Sequence, residues 1–173
     1  MPAITNIKGI GPAKAKLFAQ LDLNTVSDLL HYYPRTYQDR RPDAKLSAFK
    51  RAESVAGIYT VIRTQSIPAK ALLIFKAFLR DDAGNLIEAV WFKKKIRRFD
   101  PFMQMRRDFK PDAKLWIIGK RDDKGSFFSN KITVEEYYPV NSAEAKINAG
   151  RITPVYSLTQ GLTNKFFRAA QFY

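Results

Sequence analysis

The sequence has no cysteine and a single histidine, His31. Without thiols there is neither a disulfide framework nor a thiolate metal site, and one imidazole cannot assemble a histidine cluster. A reducing, cytosolic setting suits such a chain. No run approaches the roughly 18 apolar residues that a membrane-spanning helix needs, and the N-terminus has no basic segment leading into an apolar one. We therefore expect a cytoplasmic protein with no membrane partner. Also missing is any Gly-x4-Gly-Lys-Ser/Thr, the loop whose lysine and hydroxyl reach nucleotide phosphates and Mg²⁺. Acidic residues are scarce: 16 Asp and Glu stand against 30 Lys and Arg, a net charge of +14. A field of that sign attracts polyanions, nucleic acid first among them.

What is present is unevenly spread. Trp91–Arg121 carries eleven Lys and Arg against three Asp, more than half of the net charge. With 173 residues, 46% of them hydrophobic, the chain can bury one core, or one domain with a small helical appendage.

Near the start stands "IKGIGPAKAKLF", Ile7–Phe18. A dinucleotide fingerprint would need a preceding strand and a third glycine, and only six residues come before Ile7. What remains is a hairpin shaped by Gly9 and Gly11, with Pro12 at the first helical position, where its missing N–H costs nothing. Ala13, Leu17 and Leu21 recur on one face, with Lys14 and Lys16 off that stripe. The free N–H groups, with Lys8 and Lys14, form one candidate grip on a nucleic-acid backbone. The alternative is that the glycines only shape the turn.

A second helix begins in "LNTVSDLLHYYP". Thr25 with Asp28 resembles a capping box, Val26, Leu29, Leu30 and Tyr33 make the expected buried stripe, and Pro34 ends it. "RTYQDRRPDAKLSAF" reads as an irregular connector. From Ser54 the period changes to that of strands. "SVAGIYTVIRTQS", "ALLIFKAFLRD" and "LIEAVWF" are rich in β-branched and aromatic residues, with "DDAGN" as a turn. A helical or irregular stretch follows, then a second pair, "KLWIIGKRD" and "GSFFSNKITVEEYYP". Three strands, an interruption and two more strands is the order of an OB-fold, whose second and third strands bind nucleic acid. SH3-like barrels have a similar strand count and stay as the alternative. We thus expect a mainly β chain with a helical lead-in and connector at 1–53, a five-stranded Greek-key barrel at 54–140, and a linker with the start of a following domain at 141–173. The last helix is expected from about Thr163, and the chain reads as cut soon after.

The segments "IKGIGPAKAKLFAQLDLNTVSDLLHYYPRTYQDR", "EAVWF", "KLWIIGK" and "RITPVYSLTQGL", in this order and spacing, resemble the wedge domain of the RecG family of bacterial ATP-dependent branched-DNA helicases. "YYPRTYQDR" together with "PVYSLTQGL" is the most specific part of the likeness. The resemblance implies a helical lead-in, an OB-fold wedge that splits strands at replication forks and Holliday junctions in repair and recombination, and two motor domains. Neither a nucleotide loop nor an Asp-Glu-x-His helicase box can be read here. The fragment is therefore expected not to be an enzyme, and ATP and Mg²⁺ would belong to motor domains outside it. Expected partners are branched DNA and single-stranded DNA-binding protein, and the expected state is a monomer, associated with the nucleoid.

The resemblance also implies roles. Phe92, at the end of the third barrel strand, takes the place of an aromatic that stacks on an unpaired base at the branch point. A second aromatic commonly follows four residues later, where this chain has Ile96, and Phe99 is the candidate substitute. Strand alternation alone requires that one of Trp91 and Phe92 points outward, and Trp91 is assigned to the core. Lys93, Lys94, Lys95, Arg97 and Arg98 would supply cations beside the stacking platform. Asp81, Asp82, Asp122 and Asp123 lie in glycine-containing turns, where Asp serves turn chemistry. His31 falls at a helix end, a capping position. Two other readings remain: a stand-alone OB-fold that binds single-stranded DNA or RNA, and a module whose basic face meets an acidic protein.

Overall fold

The computed structural model describes residues 1–42, 54–96, 99–121 and 131–172. In chain order the elements are a 3₁₀ turn at Ile4–Asn6, helices α1 (Pro12–Ala19) and α2 (Val26–Leu30), and strands β1 (Thr36–Asp39), β2 (Ser54–Pro68), β3 (Leu72–Arg80) and β4 (Leu86–Lys94). Then come α3 (Met103–Asp108), β5 (Lys114–Arg121), β6 (Lys131–Pro139), α4 (Ala143–Asn148), β7 (Ile152–Val155) and α5 (Asn164–Phe172). They fall into two units: Arg40–Ala145, and a second built from both ends, Met1–Asp39 with Lys146–Tyr173.

In the first unit β2 to β6 close in the order β2-β3-β4-β6-β5, antiparallel throughout except between β4 and β6. With α3 inserted between the third and fourth barrel strands, this is the OB-type Greek-key barrel expected from the sequence. Alternation fills it: Phe75, Ala77 and Leu79 on β3 and Ile87, Ala89 and Trp91 on β4 are all buried. Phe102, Met105 and Phe109 recur at helical spacing around α3 and join the same core. Aromatic rings knit that end, with centroids 5.7 Å apart for Phe75 and Trp91, 5.0 Å for Trp91 and Phe109, and 4.9 Å for Phe109 and Tyr137. Burial first, and then the hydrogen bond it donates to Asp108 (2.9 Å), push the Tyr137 phenol well above its ordinary pKa. Where β5 and β6 shift register the chain has Gly119, and a Cβ there would lie 2.3 Å from the Thr133 carbonyl oxygen.

Arg40 is buried and forks onto Glu136 of β6, at 2.7 and 2.9 Å. Burial alone would lower its pKa, but the hydrogen bonds and charge of Glu136 outweigh that and raise it. Removing one partner of such a pair costs about 3–5 kcal/mol.

In the second unit, residues from both chain ends share one core. Phe18 of α1 stacks on Phe167 of α5 at 5.6 Å, and Tyr156 lies 4.5 Å from Phe167. β1 pairs antiparallel with β7, Thr36 opposite Val155 through Asp39 opposite Ile152, so part of the segment expected to be irregular is a strand. The capping box is present: the Asp28 N–H donates to Thr25 Oγ1 (3.1 Å) and the Thr25 N–H to Asp28 Oδ2 (2.8 Å). The helical stripes differ from expectation. In α1 the buried residue is Phe18 while Ala13 is exposed, and beyond α2 it is Tyr32, not Tyr33, that packs on the core. Because α2 ends at Leu30, helical spacing does not carry on to Tyr33, and Leu30 is itself exposed. No described helix is long and apolar enough to cross a membrane, and no group of three or more His, Cys, Asp or Glu among the described residues could hold a metal ion.

Candidate nucleic-acid interface

The pairing of β4 with β3 ends at Lys94, opposite Leu72. There alternation separates two neighbouring aromatics: Trp91 points inward, 8% exposed, and Phe92 outward, 50% exposed. Phe92 lies opposite Ile74, which lies opposite Ile67. An apolar row therefore crosses the outer face of β2, β3 and β4 and ends on Phe92. The chain then continues the pairing, the Lys95 N–H donating to the Ala71 carbonyl (3.1 Å), and Ile96 and Phe99 face each other in a single antiparallel bridge. Ile96, Phe99 and Met103, the first residue of α3, are each about half exposed. Several large apolar side chains left in water within one stretch of chain mark an interaction surface.

The cations of this rim are not equivalent. Lys93 donates to the Pro101 carbonyl (3.0 Å) and lies 5.4 Å from the Phe102 ring centroid, so it braces the segment leading into α3. Lys94 and Lys95 are exposed and carry no ion pair among the described residues. Arg97 and Arg98 lie outside the described residues. Arg106 holds the same segment from the other side, donating to Asp100 Oδ2 (2.9 Å) and to Ser66 Oγ on β2 (2.8 Å). Asp100 also accepts the Phe102 N–H (2.9 Å). That backbone hydrogen bond first, then Arg106, hold its carboxyl below the usual carboxylate range.

The glycine hairpin is organised differently. Gly9 sits at φ +90°, a conformation that strains any other residue, and Gly11 is the N-cap of α1 without a side-chain cap. Lys14 donates back to the Gly9 carbonyl (3.2 Å) and lies 3.7 Å over the Phe166 ring, inside its own unit. Lys8 and Lys16 of the same stretch are exposed and make no side-chain hydrogen bond or ion pair among the described residues. Asp81 accepts from the Asn85 backbone (2.7 Å) and side-chain amide (2.8 Å), which is turn chemistry. Asp122 and Asp123 lie outside the described residues. His31 donates through Nδ1 to the Ser27 carbonyl (2.8 Å) at the end of α2.

Sequence reading missed part of this face. Arg63 lies 3.9 Å over the Phe78 ring, and Lys76 pairs with Glu88 at 2.7 Å beside it. The register shift between Val61 and Arg63 breaks the period-two count along β2, so strict alternation assigns Arg63 to the wrong side. Lys70, in the turn between β2 and β3, carried no signal in the linear pattern, and Arg106 entered only as one of the cations of the basic stretch Trp91–Arg121.

A family model described as the RecG wedge domain matches residues 3–171. The chain is 27% identical over 165 residues to the ATP-dependent DNA helicase RecG of Thermotoga maritima, covering 93% of this chain and 19% of that protein. It is 27% identical over 162 residues to the RecG of Synechocystis, covering 90% and 19%. A solved structure of RecG bound to a three-way DNA junction matches with a TM-score of 0.78 at 25% identity, covering 98% of this chain and 22% of that one. The chain thus spans about a fifth of the length of the curated relatives it matches. With the likeness running from the glycine hairpin through the barrel to α5, the chain belongs to the RecG wedge domain family.

Proposed function

We propose that this chain is the branched-DNA-binding wedge of a RecG-type helicase, acting where a duplex opens into separate strands. The observation that carries this reading is Phe92, half exposed at the end of β4 beside Lys94 and Lys95, in a chain similar to RecG bound to a three-way junction. Phe92 offers a ring to an unpaired base, worth about 1–3 kcal/mol per stacked base. Lys94 and Lys95, with Arg97 and Arg98, neutralise phosphates on the strands being parted, and each such neutralisation releases a counterion. Phe99, opposite Ile96, provides the second aromatic, while Lys93 serves mainly to hold the rim in shape. Gly9, Gly11, Lys8 and Lys14 contribute at most a secondary phosphate contact, because Lys14 is already engaged. In the whole protein, ATP hydrolysis with Mg²⁺ in motor domains would drive the wedge into stalled forks and Holliday junctions during repair and recombination. There it acts as a monomer at the nucleoid, with single-stranded DNA-binding protein as a neighbour.

Fluorescence anisotropy on a three-way junction, a matched duplex and a single strand of equal length tests this. The junction should bind most tightly. Equal affinity for junction and single strand would replace the wedge with an OB-fold single-strand binder.

A further inference from the structure

Tyr33 and Tyr37 are the most exposed aromatic residues among those described, at 79% and 64%, and both exceed Phe92 at the barrel rim, at 50%. They stand in "YPRTY", in the unit formed by the chain ends. Other tyrosines of that unit serve its core: Tyr32 donates its hydroxyl to the Ser157 carbonyl (2.6 Å) and stacks on Tyr156 with centroids 6.1 Å apart. Tyr33 and Tyr37 make neither a side-chain hydrogen bond nor a ring contact among the described residues. The register of the β1–β7 ribbon gives the reason for Tyr37. It lies opposite Pro154, and Asp39 opposite Ile152, so these four side chains share one face, while Thr153 on the other face is fully buried. The outer face thus keeps Tyr37 and the half-exposed Ile152 in water. Before β1, the proline after Tyr33 favours an extended backbone there, and four residues of chain set the two tyrosines at most about 14 Å apart at Cα.

Cations accompany the rings. Arg35 stands between the two tyrosines in the chain, and Arg151 directly precedes Ile152. Both are exposed and neither has an ion pair among the described residues. Arg151 commits one donor, to the Lys146 carbonyl (3.2 Å), and keeps the rest of its guanidinium for a ligand. The one carboxylate of the ribbon, Asp39, has a partner of its own. A pocket of about 210 Å³ opens beside the same face, lined among others by Arg151, Ile152, Pro154 and Phe172 and by no Asp or Glu. On a chain of net charge +14, the guanidinium groups select a polyanion and the exposed rings select bases. A duplex offers its phosphates but hides its base faces in the stack, so an unpaired strand alone satisfies both. Docking an uncharged protein face there would bury both guanidinium groups without counter-ions, at a cost.

We propose that Tyr33 and Tyr37, with Arg35 and Arg151, form a second stacking platform that holds unpaired DNA, distinct from the Phe92 platform on the barrel. The proposal rests on the reading of the chain as a DNA-binding wedge. A strand held here is gripped by its bases as well as its phosphates, so the contact favours parted strands over duplex, as a phosphate contact alone does not.

Fluorescence anisotropy on a single strand, a matched duplex and a three-way junction, with thermal melts, compares wild type with Tyr33→Ala/Tyr37→Ala, Tyr33→Phe/Tyr37→Phe, Arg35→Gln and Phe92→Ala. Removing both rings should weaken single-strand binding at least about fivefold and leave duplex affinity and Tm unchanged. The phenylalanine pair keeps the rings and should bind like wild type. Arg35→Gln should make the log–log salt slope for the single strand shallower by about 0.7. A single strand carrying bromodeoxyuridine should crosslink to Tyr33 or Tyr37 on irradiation; crosslinks confined to other residues overturn the proposal. A folded alanine pair with undiminished single-strand affinity overturns it too, as does equal loss on single strand and duplex, which reduces the face to a phosphate contact. Self-association that the alanine pair abolishes, with DNA binding intact, assigns the face to a second copy of the chain and also overturns it. Should the alanine pair melt, Tyr33→Ala alone, outside β1, decides by the same criteria. If the alanine pair changes nothing while Phe92→Ala still loses junction preference, the platform fails and the wedge reading stands. Wild-type protein with no affinity for any of the three DNAs removes both.

Discussion

In the glycine hairpin, Lys14 reaches back to the Gly9 carbonyl and covers the Phe166 ring; at the barrel rim, Lys94 and Lys95 project beside a half-exposed Phe92 with no ion pair among the described residues. Both stretches read as basic, glycine- or aromatic-marked segments suited to phosphates. The difference lies in what surrounds each ammonium. A lysine already satisfied by a carbonyl and an aromatic face must give those up to meet a phosphate, whereas a solvated one has only water to displace. Lys93 shows that the distinction runs through the rim itself, since its ammonium is held by Pro101 and Phe102. Local charge density thus locates a candidate surface, and tertiary neighbours decide which of its cations are available.

The largest effect that sharpens this comparison comes from the aromatic pair. Trp91→Ala should cost about 3–5 kcal/mol of folding stability, because it empties a site enclosed by Phe75, Phe109 and Tyr137. Phe92→Ala should leave stability nearly unchanged yet remove roughly 1–3 kcal/mol from junction binding while sparing duplex binding. Thermal melts and anisotropy on both variants check this. A folded Phe92→Ala that weakens duplex and junction alike would sink the stacking role.

Next in size is the division of labour among lysines. Lys94→Gln with Lys95→Gln should make the log–log salt slope shallower by about 0.9 for each duplex phosphate that the two lysines neutralise, with Tm unaffected. Lys14→Gln should do the reverse, leaving the slope in place and costing about 0.5–1 kcal/mol of stability, because the Phe166 ring then has no cation over its face. Lys93→Gln should follow Lys14. A slope that responds to Lys14 and not to Lys94 and Lys95 would move the footprint to the hairpin and break the comparison.

Much of the fold was legible because it rests on short-range periodicity. The barrel strands announced themselves by alternation, which also required one of Trp91 and Phe92 to face outward; that the outward one is Phe92 came from the family resemblance. Asp81 in its turn and the Thr25–Asp28 capping box are likewise decided within five residues of chain. What escaped depends on distance in sequence. The pairing of β1 with β7 joins residues more than a hundred positions apart, so neither strand carries a signal alone. The bulge in β2 shifts parity without marking itself in composition, which hid Arg63. Gly119 looks like an ordinary strand glycine until the Thr133 carbonyl is seen against it. The engaged states of Lys14 and Lys93 could not be read either, since Phe166 and Phe102 reach them only in the folded chain.

The smallest effect contrasts the two units through their carboxylates. Asp28 is held below its ordinary pKa of 3.8 first by the Thr25 backbone N–H, then by the Asn24 N–H and the Thr25 side chain. Asp100 is lowered first by the Phe102 N–H and next by the Arg106 side chain. For each, the folded pKa lies below the unfolded one, so the stabilisation is fully present above the unfolded value near 3.8 and is lost as pH falls through the depressed folded value. Both should therefore contribute to a decline in stability confined to pH below about 4. Salt separates them. The Asp28 shift comes mainly from backbone and hydroxyl hydrogen bonds, with the charge of His31 the smallest contributor, and should largely persist at 1 M NaCl. The Asp100 shift contains an exposed ion pair with Arg106, which screening weakens. Carboxyl NMR titrations at low and high salt read each group directly, with Asp28→Asn and Asp100→Asn as controls that remove its share of the acid limb. Asp100 should move toward 3.8 in salt while Asp28 stays in place; identical salt responses would mean that Arg106 adds nothing to the hold on the rim segment and that Asp100 is, like Asp28, only a backbone cap.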